Sequence, residues 1–315
     1  MRTLFQNGTK DPTFAAVSVG ESFEPVTLTL DEAYLATARF CLDDHLVRRD
    51  AEGREYVPGT ALARDLQQLF LTRYDPNRIV GLHQAEEIIF AAPARLGDTV
   101  ILSGSVVDKF EKRGKGYFVL DCRAHDADGQ LLVQQVSTEI MEMPDLAARQ
   151  DTSAPKQGGA PASAKRISGI WPDSTPAAHF APDLGASTPV KPLIKVCDLA
   201  QIAVFSGIGL GRYNTHTDIR AAQAAGFATA LAQGMMETCW MSQMLADFFG
   251  PAWDRGGWIK TNYLRPVLAG DTITLRAVLT EVGIEIAELE VWAENQHQQM
   301  TAAGWARCRL PAALS

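Results

Sequence analysis

The residues best suited to chemistry lie close together, between Gly211 and Phe249. A polar loop carries Asn214, His216 and Asp218, and an Ala-rich segment follows it. Gln233-Gly234-Met235 then opens an apolar run with Met236, Cys239, Trp240, Met244, Leu245 and Phe248 at three- and four-residue spacings. That spacing predicts a helix with one stripe turned to a core. Imidazole changes protonation near neutral pH, so it can move a proton to or from a carbon beside a carbonyl. The first N–H groups of a helix lack intrahelical acceptors and carry partial positive charge. A glycine there lets a ligand oxygen come close. A histidine base and an N–H pocket on adjoining segments together suit proton transfer next to a carbonyl. The bland alternatives are a loop histidine bonded to backbone and a glycine needed only for helix–sheet packing.

The stretch resembles the MaoC-like, (R)-specific enoyl-CoA hydratase family of hot dog folds. That family carries an Asp, four residues, a His, five residues and an Ala, and later a His-Gly-Met helix start. Asn214, His216 and Ala222 match the second half of the pattern, and Gln233-Gly234-Met235 stands where His-Gly-Met is usual. The first half departs from it, since Gly211 holds the place of the Asp and Arg212 follows. The resemblance implies a hydratase or dehydratase, a lyase acting on an α,β-unsaturated or 3-hydroxy acyl thioester. In that reading His216 handles the proton, with Asn214 and Asp218 completing the catalytic set. Gly234, Met235, Tyr213 and Arg212 bind substrate. No cofactor is implied beyond the CoA or carrier-protein arm of the substrate itself.

Each assignment has a competitor. Asp218 precedes Ile219-Arg220-Ala221-Ala222 and suits an N-cap. Arg212 could hold a carboxylate or a CoA phosphate, or be a solvated arginine. Asp43, Asp44 and His45 read as a solvated loop. Lys109, Lys112, Arg113 and Lys115 form a basic hairpin that could meet nucleotide phosphates, and Lys260 and Arg265 are weaker candidates of the same kind. Two other functions fit the fold. A thioesterase would use an acid on the core helix, for which Glu237 qualifies; a non-catalytic acyl-thioester binder would tolerate Arg212 where the family has Asp.

The elements that position these groups come in two copies. Pro93-x-x-x-Gly97-Asp98-Thr99 recurs as Pro266-x-x-x-Gly270-Asp271-Thr272. Pro58-Gly59-Thr60 matches Gln233-Gly234-Met235, and Asp31-Glu32-Ala33 matches Asp198-Leu199-Ala200. Each copy therefore has a leading helix, a loop, a core helix and consecutive antiparallel strands. In the first copy the core helix runs over residues 61–72, and strands over 87–91, 99–108, 116–125 and 130–141. The expected fold is α+β, a tandem (double) hot dog in which a curved antiparallel sheet wraps a long helix and one chain imitates a dimer. Residues 1–145 form the degenerate first copy, walling the acyl pocket, and residues 192–315 form the copy with the site loop. Residues 146–191, dense in Pro, Gly, Ala and Ser, read as a linker pinned by Trp171 and Phe180.

The totals exclude several classes. A formal net charge of −8 over 315 residues argues against a nucleic-acid partner. Five scattered cysteines without a CxxC fit free thiols in a reducing compartment, not a zinc site. No apolar run reaches the roughly 20 residues of a membrane span, and no secretory leader opens the chain. A cytoplasmic protein is expected, acting as a pseudo-dimer or as a homodimer of pseudo-dimers. No Gly-rich phosphate loop or nucleophile elbow occurs, so no nicotinamide, metal or ATP is implied.

Overall fold

Two tight turns with the same chemistry mark the duplication. Gly97 and Gly270 both have left-handed backbone, with φ of 93° and 95°. The following Asp closes each turn by accepting from the residue three before it: Asp98 from the Arg95 N–H at 2.9 Å, Asp271 from the Leu268 N–H at 2.8 Å. The structure is a computed structural model and describes residues 8–50, 52–75, 78, 81–142, 167–207 and 214–310.

The first copy comprises β1 (Val26–Thr29), α1 (Glu32–Leu42), β2 (Tyr56–Val57), α2 (Gly59–Gln68), β3 (Leu82–Phe90), β4 (Ala94–Arg95), β5 (Thr99–Lys112), β6 (Lys115–Asp126) and β7 (Leu131–Glu142). The second comprises β8 (Leu193–Val196), α3 (Leu199–Phe205), α4 (Ile219–Ala224), α5 (Gly234–Phe249), α6 (Trp253–Gly256), β9 (Gly257–Tyr263), β10 (Thr272–Val282), β11 (Ile286–Glu294) and β12 (Met300–Arg309). Asp31 caps α1 and Asp198 caps α3, each through its side chain, as the repeat predicts.

Ten strands form one antiparallel sheet in the order β1-β5-β6-β7-β3-β9-β12-β11-β10-β8. Outward from the centre, both halves follow the same sequence of elements. The halves join where β3 pairs with β9, Glu87 opposite Lys260 and Ile88 opposite Ile259. Alternation decides which face is buried. In β6, for example, Gly116, Phe118, Leu120, Cys122 and Ala124 turn inward. Inside the sheet lie α2 and α5, and one continuous apolar cluster spans both copies. These features define the tandem hot dog.

The strands run longer than sequence patterning indicates. β3 begins at Leu82 rather than 87, because its first half pairs with β7 and β9 and has few β-formers of its own. The β5–β6 connection is a two-residue hairpin with both Arg113 (φ 54°) and Gly114 (φ 71°) left-handed, the type that matches strand twist. A single apolar stripe was expected for α5, yet nearly every face is buried, including Glu237, Thr238 and Ser242. The sheet wraps one side while α1 and α2 cover the other.

Of the expected linker, residues 146–166 lie outside the described residues. Residues 167–191 form a strap on the second copy. Ser168 Oγ donates to Glu290 Oε2 at 2.6 Å, Trp171 stacks on the Arg276 guanidinium, and Phe180 packs on Phe248 and Phe249. The Val190 N–H bonds to the Ala277 carbonyl at 2.9 Å. Proline excludes regular structure there but leaves carbonyls and aromatic rings free to dock.

Candidate active site

His216 is half-buried, in the loop ahead of α4. Its Nδ1 lies 2.6 Å from the Leu231 carbonyl oxygen. A carbonyl can only accept, so Nδ1 carries the proton and Nε2 presents a lone pair, the form a base requires. Burial pushes the imidazole pKa down from its usual value, and the Leu231 hydrogen bond offsets part of that. The ring is thus held neutral at physiological pH. Leu231 also ties the loop down through its N–H to the Thr215 carbonyl at 2.8 Å.

Asn214 fixes the loop on either side of the histidine. Its Oδ1 accepts from the His216 N–H at 2.9 Å and from Thr217 Oγ1 at 3.1 Å, a local turn that sets the histidine's backbone. Asp218 caps α4, accepting from the Ala221 N–H at 2.8 Å. That is the N-cap set beside its expected catalytic role in the sequence: one carboxylate oxygen is engaged with backbone where the loop ends and the helix begins. Arg212 and Tyr213, with Gly211, lie outside the described residues.

Gly234 is the first residue of α5, and a Cβ there would meet the Tyr263 ring at 2.7–2.9 Å. Tyr263 is held in turn by Thr238 Oγ1 at 2.7 Å from its hydroxyl, with Thr261 Oγ1 at 2.6 Å from the same threonine. The packing reading of this glycine is met, since only a residue without a side chain fits under that ring. Met235 is buried, and its Sδ accepts from Gln135 Nε2 at 3.6 Å. Gln233, where the family has His, reaches the Ile202 carbonyl at 3.4 Å, and its Oε1 is buried without a partner.

Other expected contributors are engaged elsewhere. Glu237 bonds to Thr301 Oγ1 inside the second copy, and burial pushes its carboxyl up to about 8. Lys109 donates to the Val17 carbonyl and sits over Phe14, Lys260 pairs with Glu87, and Arg265 bonds the Met300 carbonyl. The Asp43-Asp44-His45 loop is not simply solvated. Asp44 is 3% exposed and pairs with Arg48, while Asp43 accepts from the buried Lys195. The signal for that was Arg48 four residues on, a spacing that brings opposite charges together.

Sequence reasoning also passed over a polar cluster on the inner face near the start of α5. His83 Nε2 lies 2.8 Å from Glu86 Oε2 and 3.5 Å from Glu139 Oε1. Gln67 Nε2 donates to Glu139 at 2.5 Å, and the His83 ring meets the Tyr263 ring edge-on at 4.8 Å. Glu86 alternates inward with Ile88 and Phe90, which is the pattern that could have flagged it. Among the described residues, no group of His, Cys, Asp or Glu could hold a metal, and no helix is long and apolar enough to cross a membrane.

A ten-stranded antiparallel sheet around two core helices places the chain among double hot dog proteins. It is similar to a solved MaoC-like dehydratase, at 14% identity over 93% of this chain and 98% of that one, with a TM-score of 0.68. A Mycobacterium tuberculosis protein described as a double hotdog fold is 16% identical over 98% of both chains, TM-score 0.63. HtdX from the same organism is 18% identical over 91% of this chain and 99% of that one, TM-score 0.59. At these identities the likeness shows the fold. Among curated proteins, no sequence matches significantly. Residues 181–300 match the model of the MaoC like domain, a stretch that carries the His216 loop and α5.

Proposed function

We propose that the protein is a hydro-lyase that adds water to, or removes it from, an acyl thioester, with His216 as the base and the start of α5 as the carbonyl pocket. The observation that carries this reading is the Leu231 carbonyl on Nδ1, which fixes the tautomer and leaves Nε2 ready to accept. In hydration, Nε2 takes a proton from water as the oxygen adds to C3. The C2=C3 electrons move onto the thioester oxygen, where the N–H groups of Gly234 and Met235 stabilise the enolate, and C2 is then protonated. A helix-start N–H so placed is worth roughly 2.7–4 kcal/mol to the transition state. The thioester is attached to CoA or to a carrier protein. The thioesterase alternative is weakened by Glu237, whose carboxyl is buried and spent on Thr301.

The test is an ultraviolet absorbance screen of short, branched and dicarboxylic enoyl-CoAs, with free thiol measured in parallel. The expected result is loss of enoyl absorbance without thiol release, falling about 10²–10⁴-fold in His216→Ala. Thiol release instead would make the protein a thioesterase. Full activity in His216→Ala would remove the histidine from the mechanism.

A further inference from the structure

The duplication provides an internal control for the cluster around His83. In the first copy, β3 and β7 place Glu86 opposite Ser137, and His83 opposite Glu139. In the second, the corresponding pairs on β9 and β12 are Ile259 opposite Ala306, and Gly257 opposite Cys308. Gln135, opposite Ile88, likewise corresponds to Gly304, opposite Thr261. The same sheet positions are thus filled by small and apolar residues in one half and by His, Glu, Glu, Ser and Gln in the other. The scaffold does not require these polar groups, and burying them is costly.

Their location gives them a use. The His83 ring rests against Tyr263, whose own ring lies over Gly234. Gln135 bonds to Met235 Sδ. So the cluster reaches both residues at the start of α5. Glu86 is fully buried, and His83 and Glu139 side chains are 11% and 13% exposed. Ser137, opposite Glu86 and 1% exposed, has a hydroxyl with no hydrogen-bond partner, and so does the Gln67 carbonyl oxygen beside Glu139. Buried polar atoms without partners, both beside carboxylates of one cluster, are what a polar ligand would satisfy.

We propose that His83, Glu86 and Glu139, donated by the first copy across the β3–β9 junction, form the acidic half of the second copy's site and supply the proton that reaches C2 of the substrate. The inference rests on the hydro-lyase reading. In hydration, one water O–H bond breaks, its proton goes to His216 Nε2, and its oxygen forms the C3–O bond. The Glu86–His83 pair gives a proton to C2, forming the C2–H bond, and His216 returns its proton to the cluster through solvent. The charge state suits the task. Burial lowers the His83 pKa, but Glu139 and Glu86 outweigh it and raise it to about 9, so the ring carries its proton at neutral pH. Burial raises the Glu86 carboxyl, with His83 opposing. The other titratable groups facing Glu86 are Cys122 from β6, Cys239 from α5 and Tyr263 from β9, all raised and uncharged at neutral pH.

The experiment compares wild type, Glu86→Gln, His83→Gln and Glu139→Gln on crotonyl-CoA across pH, with histidine ¹³C NMR on the same samples. Glu86→Gln and His83→Gln should lower kcat about 100-fold with KM within threefold, and His83→Gln should remove the alkaline limb of the rate profile near pH 9. A folded His83→Gln with kcat within threefold of wild type, or a change confined to KM, overturns the inference and leaves His216 untouched. If wild type turns over no enoyl-CoA, the hydro-lyase reading has failed, and the His83 signal decides separately. Its displacement by added crotonyl-CoA, relative to exposed His297, keeps the cluster in the site under another chemistry; no displacement overturns it.

Discussion

The two ends of the central strand junction began from the same plan and diverged. At one end α5 starts with Gly234 under Tyr263; at the other α2 starts with Gly59, where a Cβ would meet the Phe90 ring at 2.6 and 2.9 Å. Beside α5 lie the His216 loop and a cluster of buried polar groups. Beside α2 the matching space is filled. Arg48 reaches Asp44 at 3.1 Å and Asp247 at 2.5 Å, and Trp253 packs on Phe90. Between them a cavity of only about 20 Å³ remains, room for about one water. A helix start with a glycine is therefore not a site by itself. What distinguishes the α5 end is the loop that holds the His216 ring on the Leu231 carbonyl and the polar floor that reaches Tyr263 and Met235.

The largest expected effect sharpens that contrast. Gly234→Ala and Gly59→Ala both push a methyl into an aromatic ring, and each should cost about 1–3 kcal/mol of stability. Only Gly234→Ala should also lower turnover per folded molecule, by about 10²–10³-fold, because the proposed carbonyl pocket lies only at that helix start. Thermal melts and kcat on the same preparations separate the two. Equal activity losses at both glycines would mean that the ends share a function.

Opening the filled end tests whether it is only a plug. Arg48→Ala strips Asp44 of its partner at 3% exposure and frees Asp247. Removing one member of a buried pair costs about 3 kcal/mol, read as a fall in the urea midpoint. Turnover per folded molecule should stay unchanged. A gain or loss of activity beyond threefold would give the first copy a role in catalysis through this end.

What sequence could show, and what it could not, follows the same division. The turn at Gly97-Asp98 and its repeat at Gly270-Asp271 are legible because the turn's hydrogen bond closes within four residues. The caps at Asp31 and Asp198 are legible for the same reason. His216 stands out through its loop pattern, and the residues that set its orientation are close in sequence. The plug is not legible, because Arg48 and Asp247 are 199 residues apart and meet only when the copies join. Glu86 shares the inward register of Ile88 and Phe90, but the Ser137 and Glu139 it meets lie some fifty residues on and come beside it only when β3 pairs with β7. The strap shows how composition can mislead: dense proline and glycine rule out regular elements without ruling out docking.

A pH titration of stability probes the polar floor directly. His83 has a folded pKa of about 9 against an ordinary value of 6.5, so the folded state holds its proton more tightly than the unfolded chain. That contribution is present in full below pH 6.5 and is lost as pH rises through about 9. Wild type should lose on the order of 3 kcal/mol over this window, and His83→Gln should show a flatter curve. His216 acts in the opposite sense. Its lowered pKa disfavours the folded state as pH falls below its ordinary value, so His216→Ala should flatten the acid side. Parallel curves for wild type and His83→Gln between pH 6.5 and 9 would remove the charged cluster from the account.

The smallest effect concerns the one carboxylate in the site loop. Asp218 bonds to the Ala221 N–H, and α4 has only six residues, so the cap is a large share of what starts it. Asp218→Asn keeps an acceptor oxygen in place and should leave both stability and turnover within error. Asp218→Ala removes it and should cost about 1 kcal/mol, with a modest rise in KM as the loop holding His216 loosens. The asparagine variant carries the decision, because it preserves the cap while deleting the charge. If it lost 100-fold in kcat with an unchanged melting temperature, the missing acid would lie in the loop itself, and the polar floor from the first copy would no longer be needed to supply it.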